Sequence, residues 1–152
     1  IIGCGSVEMV KFCMQKGFRI PTDVCSIAAR ADQVECLKYF HSIGYKLPKD
    51  CARQACTGGS LQCLQYLHEV SFENVHYNAK LACAVAAKLG HFDCLKFIHE
   101  NGGEWDQRVL IEACHSGHLD CLRYGHENGC AWSVSAAEQA ARSGHLHCLQ
   151  YA

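Results

Sequence analysis

The chain has 152 residues, 49% of them hydrophobic, and sets 14 Lys and Arg against 15 Asp and Glu for a net charge of −1. That much apolar material supports a packed core and excludes a disordered chain, while balanced, scattered charge offers no field to attract nucleic acid or an anionic membrane. No apolar run approaches the roughly 20 residues of a spanning helix, and no basic start followed by an apolar stretch marks a signal peptide.

In chain order, one octet keeps returning. Gly5-Ser6-Val7-Glu8-Met9-Val10-Lys11-Phe12 comes first, then Asp32-Gln33-Val34-Glu35-Cys36-Leu37-Lys38-Tyr39 and Gly59-Ser60-Leu61-Gln62-Cys63-Leu64-Gln65-Tyr66. The clearest copies are Gly90-His91-Phe92-Asp93-Cys94-Leu95-Lys96-Phe97, Gly117-His118-Leu119-Asp120-Cys121-Leu122-Arg123-Tyr124 and Gly144-His145-Leu146-His147-Cys148-Leu149-Gln150-Tyr151. The apolar anchor at Val7, Val34, Leu61, Phe92, Leu119 and Leu146 advances by 27, 27, 31, 27 and 27 residues. A fixed period of this length means stacked supersecondary units, none of which buries its apolar face alone.

Each unit is predicted to hold two helices. In the second, Cys94, Phe97 and Ile98 stand at i, i+3 and i+4 with Asp93 and Lys96 on the opposite face. A glycine closes it at Gly17, Gly44, Gly102 and Gly129, with Ser71 in that place in the irregular copy. The first helices are short and rich in small residues: Thr22 to Arg30, Lys49 to Thr57, Ala79 to Leu89, Gln107 to His115 and Ser133 to Arg142. Pro21, Pro48, Asp106 and Ser133 share the slot where they begin. Gly58-Gly59, Gly90, Gly117 and Gly144 turn the chain into the second helix. No alternating β-branched run recurs, so no strand is expected.

From the small pair to the closing glycine, Ala113-Cys114-His115-Ser116-Gly117-His118-Leu119-Asp120-Cys121-Leu122-Arg123-Tyr124 and on to Asn128-Gly129 resembles the ankyrin-repeat pattern. The units are a short, Cys-rich variety of about 27 residues. Two features depart from the family: Arg108-Val109 stands where Thr-Pro would open the repeat, and the unit is about six residues shorter than the usual 33. The shortening falls between Gly129 and the next helix, where ankyrins build a β-hairpin finger. The resemblance therefore implies an all-α solenoid of stacked helix-turn-helix repeats with shortened or absent fingers. The expected divisions are 1–20 as a partial repeat, then 21–47, 48–78, 79–105, 106–132 and a partial 133–152, in one array. Because Ile1 is not an initiator Met and both ends fall inside a repeat, a fragment of a longer chain is expected.

Thirteen cysteines invite a disulfide or metal reading, but their slots argue otherwise. Cys36, Cys63, Cys94, Cys121 and Cys148 share a slot with Met9. Cys56 and Cys114 alternate with Ala29, Ala87 and Ala141, and Cys25 and Cys83 alternate with Ala52, Leu110 and Ala137. Cysteine here replaces Ala, Leu or Met in a core. Neighbouring copies of a slot should stand about 8–10 Å apart, beyond the roughly 4.4–6.8 Å that disulfide Cα atoms need. Reduced core thiols and an intracellular, reducing compartment, the cytoplasm, are expected. A redox or metal-responsive thiol protein is the least favoured class.

The histidines form two columns. His41, His68, His99 and His126 lie near the end of the second helix, where they would meet terminal carbonyls and the helix dipole. His91, His118 and His145 lie in the turn, where hydrogen bonds to backbone of the adjoining repeat are expected. A whole repeat separates members of a column, which is incompatible with ligands converging at about 2.0–2.3 Å. The local trio His145, His147 and Cys148 is the one metal candidate. Cys, His and Asp recur with the repeat, whereas a nucleophile is a singular residue with its own base, so neither catalysis nor a cofactor is expected. Glu35 with Lys38, Asp93 with Lys96 and Asp120 with Arg123 read as i, i+3 pairs on a solvated face. Trp105 and Trp132 share a slot with Ile20 and Leu47, which implies apolar packing between repeats, with a stacking platform for a ligand as the lesser alternative.

The function expected is protein binding by a non-catalytic scaffold. Arg30, Thr57, Lys88, His115 and Arg142 follow the small pair of each first helix, where cations also suit the helix C-terminus without any partner. The resemblance places first helices on a concave face, where this column, with Arg53, Gln54, Glu112, Glu138 and Gln139, would form a mixed, mildly basic strip suited to an acidic partner segment. The irregular stretch from Glu69 to Lys80 carries four extra residues and Phe72, Val75, His76 and Tyr77, and is either a second candidate contact or a plain tolerated insertion. A permanent structural subunit of a large assembly is the alternative.

Overall fold

A computed structural model of the chain describes residues 7–71, 76 and 78–152. Phe72, Val75 and Tyr77 of the candidate insertion lie outside the described residues. Among the described residues there are eleven helices and no strand: α1 (Val7–Gln15), α2 (Val24–Arg30), α3 (Val34–Ser42), α4 (Cys51–Gly58), α5 (Leu61–Val70), α6 (Ala79–Leu89), α7 (Phe92–Glu100), α8 (Arg108–Ser116), α9 (Leu119–Glu127), α10 (Val134–Ser143) and α11 (Leu146–Tyr151). Two compact units divide the chain, Ile1–Tyr77 and Asn78–Ala152.

In the first unit the second helices α1, α3 and α5 pack in succession, the first helices α2 and α4 pack together, and α2 pairs with α3 as α4 does with α5. In the second unit α6, α8 and α10 form one row, α7, α9 and α11 the other, and each first helix pairs with the helix that follows it. Ala28-Ala29, Ala55-Cys56, Ala86-Ala87 and Ala113-Cys114 are fully buried along the first-helix rows. Side chains this small let backbones approach closely. Leu37, Leu64, Leu95 and Leu122 fill one recurring second-helix slot and are also fully buried, each contributing on the order of 1.5–3 kcal/mol.

The turns explain the spacing of glycine. Gly59, Gly90, Gly117 and Gly144 cap first helices at φ of 70, 74, 80 and 73°, a left-handed conformation natural to glycine. In the second repeat the same slot holds Asp32, which adopts φ 57°. Second helices close with paired terminal bonds, such as Gly44 N to His41 O at 3.1 Å and Tyr45 N to Phe40 O at 3.0 Å. Ser71 ends α5 differently, in extended backbone at φ −161°.

Helix starts follow the expected slot. Pro21 and Pro48 offer their carbonyls to the N–H groups of Val24 and Cys51, Ser133 accepts from Ser135 N at 3.2 Å, and Asp106 accepts from Arg108 N at 3.0 Å. Asp106 also holds the Arg108 guanidinium at 2.9 Å, and these hydrogen bonds keep its carboxyl below the usual range.

Candidate functional site

The column that follows each small pair lies at the C-terminal ends of the first helices. Arg30, Lys88, His115 and Arg142 are exposed there and Thr57 is half-buried. In the first unit, Arg53 Nη2 donates to Asp50 at 2.8 Å and Gln54 Nε2 donates to the same oxygen at 3.2 Å. Thr57 Oγ1 donates to Arg53 O at 2.9 Å. The carboxylate at the start of α4 thus fixes two of the strip residues, a role for Asp50 absent from the sequence reading.

In the second unit the strip links successive helices. Lys88 on α6 reaches Glu112 on α8 at 3.7 Å, and His115 on α8 meets Ser143 Oγ on α10 at 3.1 Å. Glu138 and Arg142 are exposed on α10 and Gln139 is half-buried. Ion pairs this exposed contribute about 0–1 kcal/mol, little enough for an incoming partner to exchange them.

The outer face departs from its expected pairing in two repeats. Glu35 and Lys38 pair at 3.0 Å, but Lys96 turns from Asp93 to Glu100, 3.8 Å away. Asp120 accepts from Cys121 N at 2.8 Å within the first turn of its own helix, and Arg123 lies over the Tyr151 ring at 5.5 Å. In both repeats the cation is engaged elsewhere than at the expected i, i+3 carboxylate.

The histidine columns hold the repeats together. His41 Nδ1 and Tyr66 Oη lie 2.7 Å apart, His99 Nδ1 and Tyr124 Oη 3.0 Å, and His126 Nδ1 and Tyr151 Oη 3.0 Å. Each histidine therefore reaches a tyrosine of the next repeat, in place of the terminal carbonyls expected. Phe97 occupies the corresponding tyrosine slot of the fourth repeat and has no hydroxyl to offer. The turn histidines also differ from expectation. Rings of His118 and His145 press on Gly90 and Gly117, where an added Cβ would come within 2.6 and 2.7 Å of them. His147 instead makes the backbone bond, Nε2 to Gly117 O at 3.0 Å. With His145 packed on a turn and Cys148 buried, that trio has no common centre. Among the described residues no three His, Cys, Asp or Glu side chains group to hold a metal ion.

All twelve described cysteines are buried and none is in a disulfide. Burial pushes the Cys51, Cys83 and Cys121 thiols up to about 12, and those of Cys25 and Cys114 to about 11. A reactive or metal-binding cysteine needs the opposite shift.

Trp105 packs between repeats as its slot implies: it stacks on His99 at 3.7 Å with planes 7° apart, and the Tyr124 ring meets it edge-on at 5.9 Å. Trp132 meets His126 edge-on at 5.5 Å and remains 39% exposed. No helix of the described residues is long and apolar enough to cross a membrane.

Paired helices, left-handed glycine turns and small-residue rows define an all-helical, ankyrin-like repeat fold. The structure is similar to that of the human ASB11 ankyrin repeat domain, with a TM-score of 0.69 and 18% identity over 88% of this chain and 67% of that chain. No protein-family model and no curated protein matches the sequence.

Proposed function

We propose that the chain is a non-catalytic scaffold that binds a partner protein through its first helices and the insertion near residues 69–80. One observation carries this reading: core-facing slots of the first helices hold to Ala, Cys, Val and Leu, whereas the slot after the small pair, exposed in four copies and half-buried at Thr57, changes from Arg30 to Thr57, Lys88, His115 and Arg142. A repeated frame that varies only its outward side chains suits recognition, since affinity concentrates in a few projecting groups. The proposed contacts are Arg30, Arg53, Gln54, Lys88, Glu112, His115, Glu138, Gln139 and Arg142, with Phe72 and Tyr77 of the insertion. Their mixed, mildly basic character fits an acidic segment of the partner. Thiols held neutral by burial favour no redox role.

Exposed apolar side chains, Phe12 at 52%, Phe18 at 56% and Val134 at 76%, support a second reading as a permanent subunit of an assembly. Cross-linking mass spectrometry on the natively purified protein separates the two. Cross-links to one protein confined to Lys80 and Lys88 support the binding scaffold. Links that also involve Lys38 and Lys96 on the second helices support the subunit.

A further inference from the structure

We infer that the loop edge of the second unit is a docking strip for a proline-rich segment in polyproline II conformation. The inference rests on the reading of the chain as a protein-binding scaffold but assigns a different surface, built where the chain passes from each second helix to the next first helix.

Three features of that edge point to this ligand. Two clefts flank the Trp105 ring. One, of about 350 Å³, lies between Lys80, His99 and the Gly102-Gly103-Glu104 turn; the other, of about 630 Å³, lies between Asp106, Arg108 and Gly129-Cys130-Ala131. Trp105 thus lines both clefts. It is held upright by the His99 ring stacked on it and the edge of Tyr124, while His99 and Tyr124 are bound to each other. This rigid ring needs little ordering on binding. A second indole, Trp132, continues the edge one repeat further on.

Charge supplies the next argument. The ionised groups lining the clefts pair off, Lys80 with Glu104 at 3.2 Å and Arg108 with Asp106 at 2.9 Å, so the strip has no net field to select a charged ligand. Neither indole N–H has a hydrogen-bond partner among the described residues. Aromatic walls with idle donors are how grooves recognise polyproline II, whose carbonyls are not used internally.

The repeat distance supplies the third. A polyproline II helix has three residues per turn and rises about 3.1 Å per residue, so equivalent side chains recur every 9.3 Å or so. Packed helices stand about 8–10 Å apart, and Trp105 and Trp132 belong to successive repeats. On that spacing the ligand would set prolines at i and i+3, one against each indole.

These are the chain's two tryptophans, so indole fluorescence reports this edge alone. The test titrates the protein with decaproline and, as control, a Gly-Ser peptide of equal length. A saturable change in emission is expected for decaproline only. Trp105→Leu places at this position the residue that Leu47 provides in the same slot, so the variant keeps an apolar packing group. With its helical circular dichroism unchanged, it should bind decaproline roughly tenfold or more weakly, as for a hot-spot residue, read from Trp132 emission. Emission that does not respond to decaproline, or that saturates equally with Trp105→Leu, overturns the inference. Either result leaves the first-helix reading standing, because that reading is tested by cross-links at Lys88, which lines neither cleft.

Discussion

Gly58 is the position where replacement by alanine tests the close approach of first helices most sharply. It ends α4 without a positive φ, so the backbone alone would accept any residue. Its reason to be glycine is α2: an added Cβ would overlap the Arg30 carbonyl oxygen and lie 2.7 Å from the carbonyl carbon and 3.0 Å from Cα. Carbon contacts relax at about 3.5–4.0 Å, and the obstacle is backbone, which has no rotamer to yield. Relief requires α4 to withdraw from α2 by close to an ångström. Between these helices Val24, Cys25, Ala28 and Ala29 face Cys51, Ala52, Ala55 and Cys56, all fully buried, and such a gap forfeits about a quarter to a half of each contact's attraction. Overpacking of this kind costs about 1–3 kcal/mol, against a helix-propensity gain of at most about 1 kcal/mol. Gly58→Ala should therefore destabilise the protein by about 1–2 kcal/mol in urea unfolding, with faster amide exchange in α2 and α4. Gly129→Ala is the comparison: nothing lies within 4 Å of its Cβ but φ is +84°, so its cost of about 1–2 kcal/mol is backbone strain alone. A Gly58→Ala protein as stable as the parent would refute the close-packing argument.

Further outcomes follow from other columns. Tyr124→Phe removes the bond to His99 but keeps a ring that Phe97 already places in that slot, so a loss of about 0.5–1.5 kcal/mol is expected in the same assay; no loss would mean the histidine–tyrosine ladder is ornamental. Asp32→Gly relieves a left-handed residue in the slot where other repeats carry glycine, and should raise the thermal midpoint, with a gain of at most about 1 kcal/mol. Stability should fall as pH rises above about 9, the ordinary thiol value, toward the 11–12 of the buried thiols. The unfolded chain releases these protons first, so the folded state binds more of them in this window, and each thiol contributes a slope of about −1.4 kcal/mol per pH unit. Urea midpoints measured from pH 7 to 11 check it, and a flat profile would contradict the burial.

Helix positions and core slots were legible because one period imposes the same test on every copy: a residue type that recurs at 27-residue spacing is being held to one environment. Cysteine in slots shared with Ala, Leu and Met was therefore readable as core, and all twelve described cysteines are buried. Asp32 in a glycine slot shows that the turn conformation, not the residue, is what repeats. What the pattern hid were bonds between repeats. His99 and Tyr124 are 25 positions apart and nothing local marks them as partners, although the recurrence of both columns at that offset was the available signal. Lys96 had Asp93 and Glu100 both within reach on its own helix, at i, i+3 and i, i+4, whereas the Tyr151 ring that Arg123 covers belongs to the next repeat, which a single helix does not display. On the strip, sequence could collect Arg53 and Gln54 but not the Asp50 carboxylate that anchors both.

The claim that outward first-helix side chains carry recognition is tested most directly by partner retention on two charge-reversed variants of the full chain. One carries Lys88→Glu with Arg142→Glu on the first helices; the other carries Lys38→Glu with Lys96→Glu on the second. With folding matched by circular dichroism, the first pair should lose the partner identified by cross-linking, by about tenfold or more, and the second should retain it. Retention by the first pair with loss by the second would contradict the account.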